Sequence, residues 1–310
     1  MSAAAPRARR TTLAVFIRWG GTLLSLGLFI WLVLRLKWGD VLAQLVGVQV
    51  GVIALALGCY LLSQSFNTLR WCALLWAQGV RISFWQAFRI TWSGIFTSNF
   101  LPSTIGGDGL RMVAVLPYTQ SKALAIGSVV LDRLINMACY ACLLPLPLAL
   151  FGARLSLLPR PWGGAAALAL PFNMRALAEK YFPKIAGALR EWASRPRAFV
   201  WAFLAAWPSN LAAICATYLI ARQLGMAVTF VQVMAVQTVA YFVTVLPVSV
   251  NGYGVREVTY TTLFVALGAS LEQASAVAVV TRFLAVLITI PGALWVSTVA
   301  ADVASLDEAG

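Results

Sequence analysis

The chain has 310 residues, 61% of them hydrophobic and 11% charged, where an average soluble domain has about 45–50% and about 25%. With a mean hydropathy of +0.85, a water-soluble globule is excluded; at about 20 apolar residues per spanning helix there is room for about six to nine membrane elements and little else. The formal charge of +13 comes from 23 basic and 10 acidic residues, and the absence of histidine removes His-based triads, His metal sites and imidazole proton shuttles.

In chain order, Arg7, Arg9 and Arg10 precede an apolar run from Leu13 to Leu34. The run is too long for the core of a signal peptide and ends in Arg35 and Lys37 rather than a cleavage site, so it is expected to be an anchor with Arg18 snorkelling near its start. A second span is expected over about 48–69, ending at an interfacial Arg70-Trp71 pair. The following stretch to residue 90 carries Arg70, Arg81 and Arg89 and no acid, which places it and the N-terminus in the cytoplasm. Basic residues here orient the chain. No basic segment is long or interleaved with aromatics, so nucleic acid is not an expected partner.

An apolar arm from Phe84 stops at Leu101 in the sequence LPSTIGGDGLR, and a further apolar segment covers about 122–150, with Pro145 and Pro147 near its end. Within it Cys139 and Cys142 spell C-x-x-C, but there is no second pair and no histidine to complete a zinc site, so packing is the expected role. Residues 155–172 fit either a short span or an interfacial piece. The 173–197 stretch holds six basic residues against Glu179 and Glu191 and reads as a cytoplasmic connector on the membrane surface. Spans resume at about 198–221 and 229–246, a second interruption occupies 246–256, and apolar segments follow at about 258–268 and 273–300 before a short acidic tail.

The two interruptions match. Leu101, Pro102, Gly107, Gly109, Leu110 and Arg111 recur as Leu246, Pro247, Gly252, Gly254, Val255 and Arg256, at a constant offset of 145. Each copy then places a second arginine in apolar sequence, Arg133 in SVVLDRL and Arg282 in AVVTRFL, 22 and 26 residues after the loop arginine. The organisation expected is a single membrane domain over 1–310, with one repeat copy at 84–150, the basic connector at 173–197 and the other copy at 229–300. If 198–221 crosses once from a cytoplasmic connector, the second arm starts outside and the copies are inverted, as in many secondary transporters.

Each interruption reads as a broken or re-entrant helix. Proline stops the helix and glycine lets the backbone turn; such backbone must be buried in protein or line a wet cavity. A helix restarting after Gly109 or Gly254 offers free N–H groups to an anion. Gly106, Gly107, Asp108, Gly109 and Arg111 in one copy, with Gly252, Gly254 and Arg256 in the other, are the candidate binding residues, for an anionic headgroup. Asp132, Arg133, Glu257 and Arg282 are expected deeper, lining and closing a passage by ion pairs.

The pattern N-x-L-P-x-x-x-G-G-D-x-x-R from Asn99 to Arg111, the SVVLDR that follows it, P-x-S-x-x-G-x-G-x-R-E from Pro247 to Glu257 and the Pro-Gly at Pro291 resemble the flippase-like membrane domain of lysylphosphatidylglycerol synthases. The resemblance covers about 15–300. Two departures are Asn251, where glycine is expected, and Thr281, where the first copy has a carboxylate before its arginine. The resemblance implies movement of a lipid between leaflets, and 310 residues leave no length for the soluble synthase domain, so a stand-alone member is expected.

The expectation is therefore an all-α polytopic protein of the bacterial cytoplasmic (inner) membrane. It is read as a transporter and not an enzyme, and no catalytic residue, metal or cofactor is assigned. Its partners would be an anionic or aminoacylated phospholipid or a polyprenyl-phosphate-linked sugar. The rivals are a membrane transferase using Asp108 as base or metal ligand, and a non-catalytic subunit presenting lipid to a synthase or glycosyltransferase. No phosphate-binding G-x-x-x-x-G-K-[ST] loop is present to suggest ATP drive.

Overall fold

Two 28-residue helices, α1 (Val50–Ala77) and α7 (Pro196–Gln223), cross at the centre of the fold. In this computed structural model residues 48–100, 104–119, 121–151, 196–245, 252–296 and 299 are described. The expected anchor at 13–34, the 155–172 stretch, all but the last two residues of the 173–197 connector, Asn251 and the acidic tail lie outside them. Around the central pair run α2 (Phe84–Phe100), α3 (Thr104–Ala114), α4 (Leu116–Thr119), α5 (Lys122–Ala141) and α6 (Pro145–Phe151). After α7 come α8 (Phe230–Val245), α9 (Val255–Ala266) and α10 (Leu271–Leu287).

The protein is an all-α membrane protein. Four helices among the described residues are long and apolar enough to cross a bilayer, Val50–Ala77, Lys122–Ala141, Pro196–Gln223 and Leu271–Val296, and Phe230–Val245 is a shorter apolar one. At 1.5 Å per residue α1 and α7 each reach about 42 Å, enough to pass a hydrocarbon core of about 30 Å with a turn to spare at each side.

Both central helices end alike. Gly79 takes φ 77° and Gly225 φ 77°; Val80 N donates to Leu75 O and Met226 N to Ala221 O, each at 3.1 Å. This is the glycine stop that satisfies the last carbonyls of a helix. The next helix is then opened by a reciprocal pair, Ser83 with Gln86 before α2 and Thr229 with Gln232 before α8. Every one of these positions is related by 146 residues, as are the bounds of α1 and α7.

The packing follows the same rule. Helix α1 contacts α2 and α5, as α7 contacts α8 and α10; α2 packs on α3 as α8 does on α9; and α5 leans on α7 as α10 leans on α1. The last exchange is what a two-fold relation between halves produces. The central helices run antiparallel. Trp76 and Ala77, at the end of α1, share a groove with Arg197 and Ala198 at the start of α7. Leu74 packs with Ala202 and Ala206, while Ala56 and Tyr60 lie in the same core cluster as Ile214 and Ile220. Small side chains on α7, Ala202, Ala206, Ser209 and Ala216, bring the two backbones close.

Two expectations change. Helix α1 does not stop at residue 69: it continues to Ala77, and Arg70 and Trp71 are buried inside the protein rather than at an interface. The first glycine cluster is not a loop from which a helix restarts after Gly109. Helix α3 begins at Thr104, so Gly106, Gly107 and Gly109 are helical, and amides beyond its first four residues are bonded within the helix. Glycine is needed at position 107 for contact, since a Cβ there would overlap Ser98 Oγ and Gly94 O of α2. In the second copy the expected restart is found: Gly252 and Gly254 take φ 73° and 78°, and Gly254 is the N-cap of α9. Gly252 also packs tightly, on Thr244, the counterpart of Ser98 in α8.

Candidate arginine-carboxylate sites in the membrane interior

In the first half, α1, α3 and α5 bring Arg70, Arg111 and Asp132 together. Arg70 Nε donates to Asp132 Oδ1 at 2.7 Å, and Arg111 Nη2 to Asp132 Oδ2 at 3.2 Å. All three are at least nine-tenths buried. A carboxylate in an apolar interior is costly unless both oxygens are matched, and here each oxygen has its own guanidinium. Asp108, one helical turn before Arg111, lies 3.7 Å from Arg111 Nη1 and is paired with Arg133. The Trp71 ring covers the Arg111 guanidinium at 4.4 Å and is itself fixed by its indole N–H donating to Ser128 Oγ.

Arg133 is therefore neither deep nor poised by Asp132. Its side chain is 48% exposed and its partner is Asp108; the deep arginines of this half are Arg70 and Arg111. Asp132 is one residue before Arg133 in sequence, but neighbours on a helix point to different faces.

In the second half, α9 and α10 supply Arg256, Glu257, Thr281 and Arg282. Arg282 Nε donates to Glu257 Oε1 at 3.0 Å, as expected of that pair. The Gly254 amide donates to Glu257 Oε2 at 2.7 Å. The N-terminus of α9 thus already carries an anion, its own carboxylate in a capping box. Arg256 Nη1 is 3.8 Å from Glu257, and its guanidinium lies over the Tyr260 ring at 4.3 Å; Arg282 lies over Tyr253 at 4.0 Å.

The repeat extends to these contacts. The loop arginine reaches the residue before the second arginine: Arg111 to Asp132, and Arg256 Nη2 to Thr281 Oγ1 at 3.5 Å. The second arginine reaches the residue three before the loop arginine: Arg133 to Asp108, and Arg282 to Tyr253. The second half has lost both carboxylates of the first and holds instead Glu257, at the position of Met112. Among the described residues the ion pairs join Arg70, Arg111 and Arg133 to Asp108 and Asp132 in the first cluster, and Arg256 and Arg282 to Glu257 in the second.

Further polar side chains extend from each cluster. Asn136 Oδ1 accepts from Arg70 Nη1 at 2.9 Å and from Asn210 Nδ2 at 3.1 Å. Tyr241 stacks on Tyr140, with ring centroids 4.1 Å apart. Gln237 Oε1 accepts from Thr217 Oγ1 at 3.2 Å and from Tyr260, the ring beneath Arg256, at 3.0 Å. Among the described residues no three His, Cys, Asp or Glu side chains are grouped to hold a metal ion.

The sequence model of the lysylphosphatidylglycerol synthase TM region matches residues 18–292. The chain belongs to this family. It is also similar to the UPF0104 membrane protein PH1989 of Pyrococcus horikoshii, at 25% identity over 272 residues, which cover 73% of this chain and 80% of the relative. Within this lysylphosphatidylglycerol synthase TM-region fold, the residues that sequence reasoning missed are Arg70, Asn67, Asn136, Asn210 and Gln237. A signal was present: Asn67 and Arg70 are three apart, and Asp132 and Asn136 four apart, so each pair lies on one helix face. Arg70 bonds all three partners, Asn67 Oδ1 at 2.7 Å included.

Proposed function

We propose that the protein moves a phosphate-bearing lipid headgroup between leaflets while the acyl or prenyl tails stay in the bilayer. The observation that carries this reading is the pair of unmet donors on the repeated arginines. Arg111 Nε and Arg256 Nη1 are buried without a hydrogen-bond partner among the described residues, on arginines at equivalent positions of the two clusters. A guanidinium N–H left unmatched in the interior is costly, and a phosphate oxygen would satisfy it in a fork geometry that suits arginine. The family, named for a membrane region of a lipid-modifying synthase, supports a lipid-related role.

In this reading the arginines do most of the binding. The Gly254 amide is held by Glu257, so Gly252 and Gly254 shape the turn, and Gly107 permits the close approach of α3 to α2, with Gly106 and Gly109 in the same helix. Arg133–Asp108 and Arg282–Glu257 act as the pairs that close the passage. Antiparallel α1 and α7, equivalent at an offset of 146, support an inverted repeat whose two sites face opposite leaflets in turn. The turn holding Arg81 and the start of α7 at Arg197 share one side, which supports a cytoplasmic location for both and, with Arg7, Arg9 and Arg10, for the N-terminus of an inner-membrane protein.

The test is reconstitution into liposomes with acyl-labelled phosphatidylglycerol, read by an impermeant quencher, for wild type, Arg111→Ala and Arg256→Ala. Movement by wild type and its loss in both variants, with folding intact, is the expected result. Folded wild type that moves no lipid would overturn the reading in favour of a lipid-presenting subunit or a transferase acting through Asp108.

A further inference from the structure

We infer that the two repeated arginines are unequal anion sites: Arg256 is open to a phosphate group, while the place beside Arg111 is filled by the protein's own carboxylate, Asp132. This rests on the translocation reading and names the half that takes the phosphate first. The two arginines have nearly the same surroundings. An aromatic ring covers each guanidinium, Trp71 at 4.4 Å from Arg111 and Tyr260 at 4.3 Å from Arg256. Each has a carboxylate near Nη1, Asp108 at 3.7 Å and Glu257 at 3.8 Å. They differ at Nη2. Arg111 Nη2 donates to a charged acceptor, Asp132 Oδ2, at 3.2 Å, whereas Arg256 Nη2 meets a neutral hydroxyl, Thr281 Oγ1, at 3.5 Å.

That one position decides what an incoming anion meets. At Arg111 a phosphate has to displace a carboxylate that two guanidiniums share, Arg70 on one oxygen and Arg111 on the other, and a displaced Asp132 is a buried charge short of its partner. The unmet donor of Arg111, Nε, lies on the same edge of the guanidinium as Nη2, which Asp132 holds. At Arg256 no carboxylate holds that position. The Thr281 hydroxyl directs its proton to its own helix, 2.8 Å from Val277 O and 3.3 Å from Ala278 O, so it meets Arg256 as a neutral acceptor that a charged oxygen outcompetes. Arg256 Nη1 has no hydrogen-bond partner among the described residues, and Nη1 and Nη2 together form the fork that takes two phosphate oxygens. Glu257, near Nη1, is held by its own donors, Arg282 on Oε1 and the Gly254 amide on Oε2, which weakens its repulsion of an anion. Exposure follows the same order, 18% for the Arg256 side chain and 7% for that of Arg111. Only the phosphate enters this comparison, so the preference for Arg256 applies to any phosphodiester headgroup, whatever it carries beyond the phosphate.

The test is calorimetric titration of the full-length protein in detergent with a short-chain phosphatidylglycerol, with inorganic phosphate as a second arm. Wild type is expected to bind the lipid, Arg256→Ala to bind it at least about tenfold more weakly, and Arg111→Ala to lose less affinity than Arg256→Ala. Thr281→Asp builds into the second half the carboxylate that the first half carries, and should weaken binding as much as Arg256→Ala does. Thr281→Asn, of the same size but uncharged, should weaken it far less. Asp132→Asn, which takes the carboxylate from Arg111, should bind a second molecule; if it fails to fold, the two Thr281 variants decide. Competition between inorganic phosphate and lipid in wild type supports the phosphate as the group bound, and phosphate binding without lipid binding makes the free ion the ligand of the same site. Equal losses in the two arginine variants, or in Thr281→Asp and Thr281→Asn, overturn the inference, as does folded wild type that binds neither probe. Wild type that binds through Arg256 but moves no lipid in liposomes removes translocation and leaves this site standing; movement with equal losses in the two arginine variants does the reverse.

Discussion

Ser209 Oγ donates to the backbone carbonyl of Ser63 at 2.9 Å, and the two serines occupy the same position in two helices 146 residues apart. Equivalent residues meet each other only near an axis relating their two helices. The contact therefore marks the centre of the α1–α7 crossing, with the Arg70 cluster on one side and the Arg256 cluster on the other. Four places up each helix from this region the halves diverge: Asn67 and Arg70 of α1 correspond to Ala213 and Ala216 of α7. The fold is repeated while the charge is not, so the two clusters are expected to differ in how tightly they hold an anion.

Asp132 is the hinge of the first cluster, and its loss is expected to cost more than that of either arginine beside it. Asp132→Asn takes the paired carboxylate from Arg70 and leaves Arg111 only Asp108, at 3.7 Å, whereas Arg70→Gln leaves Asp132 paired with Arg111. Breaking a buried pair costs about 3–5 kcal/mol. Thermal unfolding in detergent should show a larger fall in Tm for Asp132→Asn than for Arg70→Gln, and the double variant should recover part of it. Equal losses would mean that the carboxylate is not shared.

The glycines of the first copy separate by what surrounds them. At Gly107 a Cβ would overlap Ser98 and the Gly94 carbonyl; at Gly109 nothing lies within 4 Å. Gly107→Ala is expected to destabilise by about 1–3 kcal/mol as α3 is forced off α2. Gly109→Ala is expected to be neutral or to stabilise by up to about 1 kcal/mol, since alanine favours a helix. Comparison of the two Tm values checks that both glycines are helical. A loss at Gly109 as large as that at Gly107 would restore the loop reading.

Much of this fold is legible in composition. Apolar runs of spanning length locate α7 and α8 to within a few residues and the starts of α5 and α10, though not their ends, and the repeated Leu-Pro…Gly-x-Gly…Arg interruption locates α3 and α9. The end of α1 is misread because Arg70-Trp71 has the chemistry of a membrane interface; only Asp132, 62 residues away, makes it an interior pair. The first glycine cluster is misread because glycine serves two purposes, turning a backbone or admitting a neighbour, and local sequence does not say which. At Gly252 and Gly107 the two purposes occur at equivalent positions, and only the facing side chain and φ tell them apart. Likewise Arg133 is followed to the wrong carboxylate because the adjacent Asp132 faces a different side of α5.

Glu257 has a structural task as well as a charge. It accepts the Gly254 amide and the Arg282 guanidinium with different oxygens, so Glu257→Gln retains the cap and removes the counter-charge. Breaking this buried pair is expected to cost about 3–5 kcal/mol and to alter transport, whereas Gly254→Ala strains a residue at φ 78° by about 1–2 kcal/mol and leaves the ion pair in place. Measuring both variants for unfolding and for headgroup movement separates the turn from the charge. A stability loss in Glu257→Gln smaller than that in Gly254→Ala would show that the cap, and not the ion pair, holds α9 in place.

The antiparallel arrangement of α1 and α7 makes a sidedness prediction independent of any lipid. Arg81 follows α1 and Arg197 opens α7, at the ends that share a groove, while Ala227 lies in the turn after α7. All three positions are exposed. In a background freed of its five cysteines, Arg81→Cys and Arg197→Cys should react with an impermeant maleimide from the same face of sealed vesicles, and Ala227→Cys from the opposite face. With α1 and α7 related by sequence offset, that pattern requires the two halves to have opposite orientation, because the turn after α1 and the turn after α7 then lie on different sides. Labelling of Arg81→Cys and Ala227→Cys from one face would instead make the halves parallel and end the inverted-repeat mechanism.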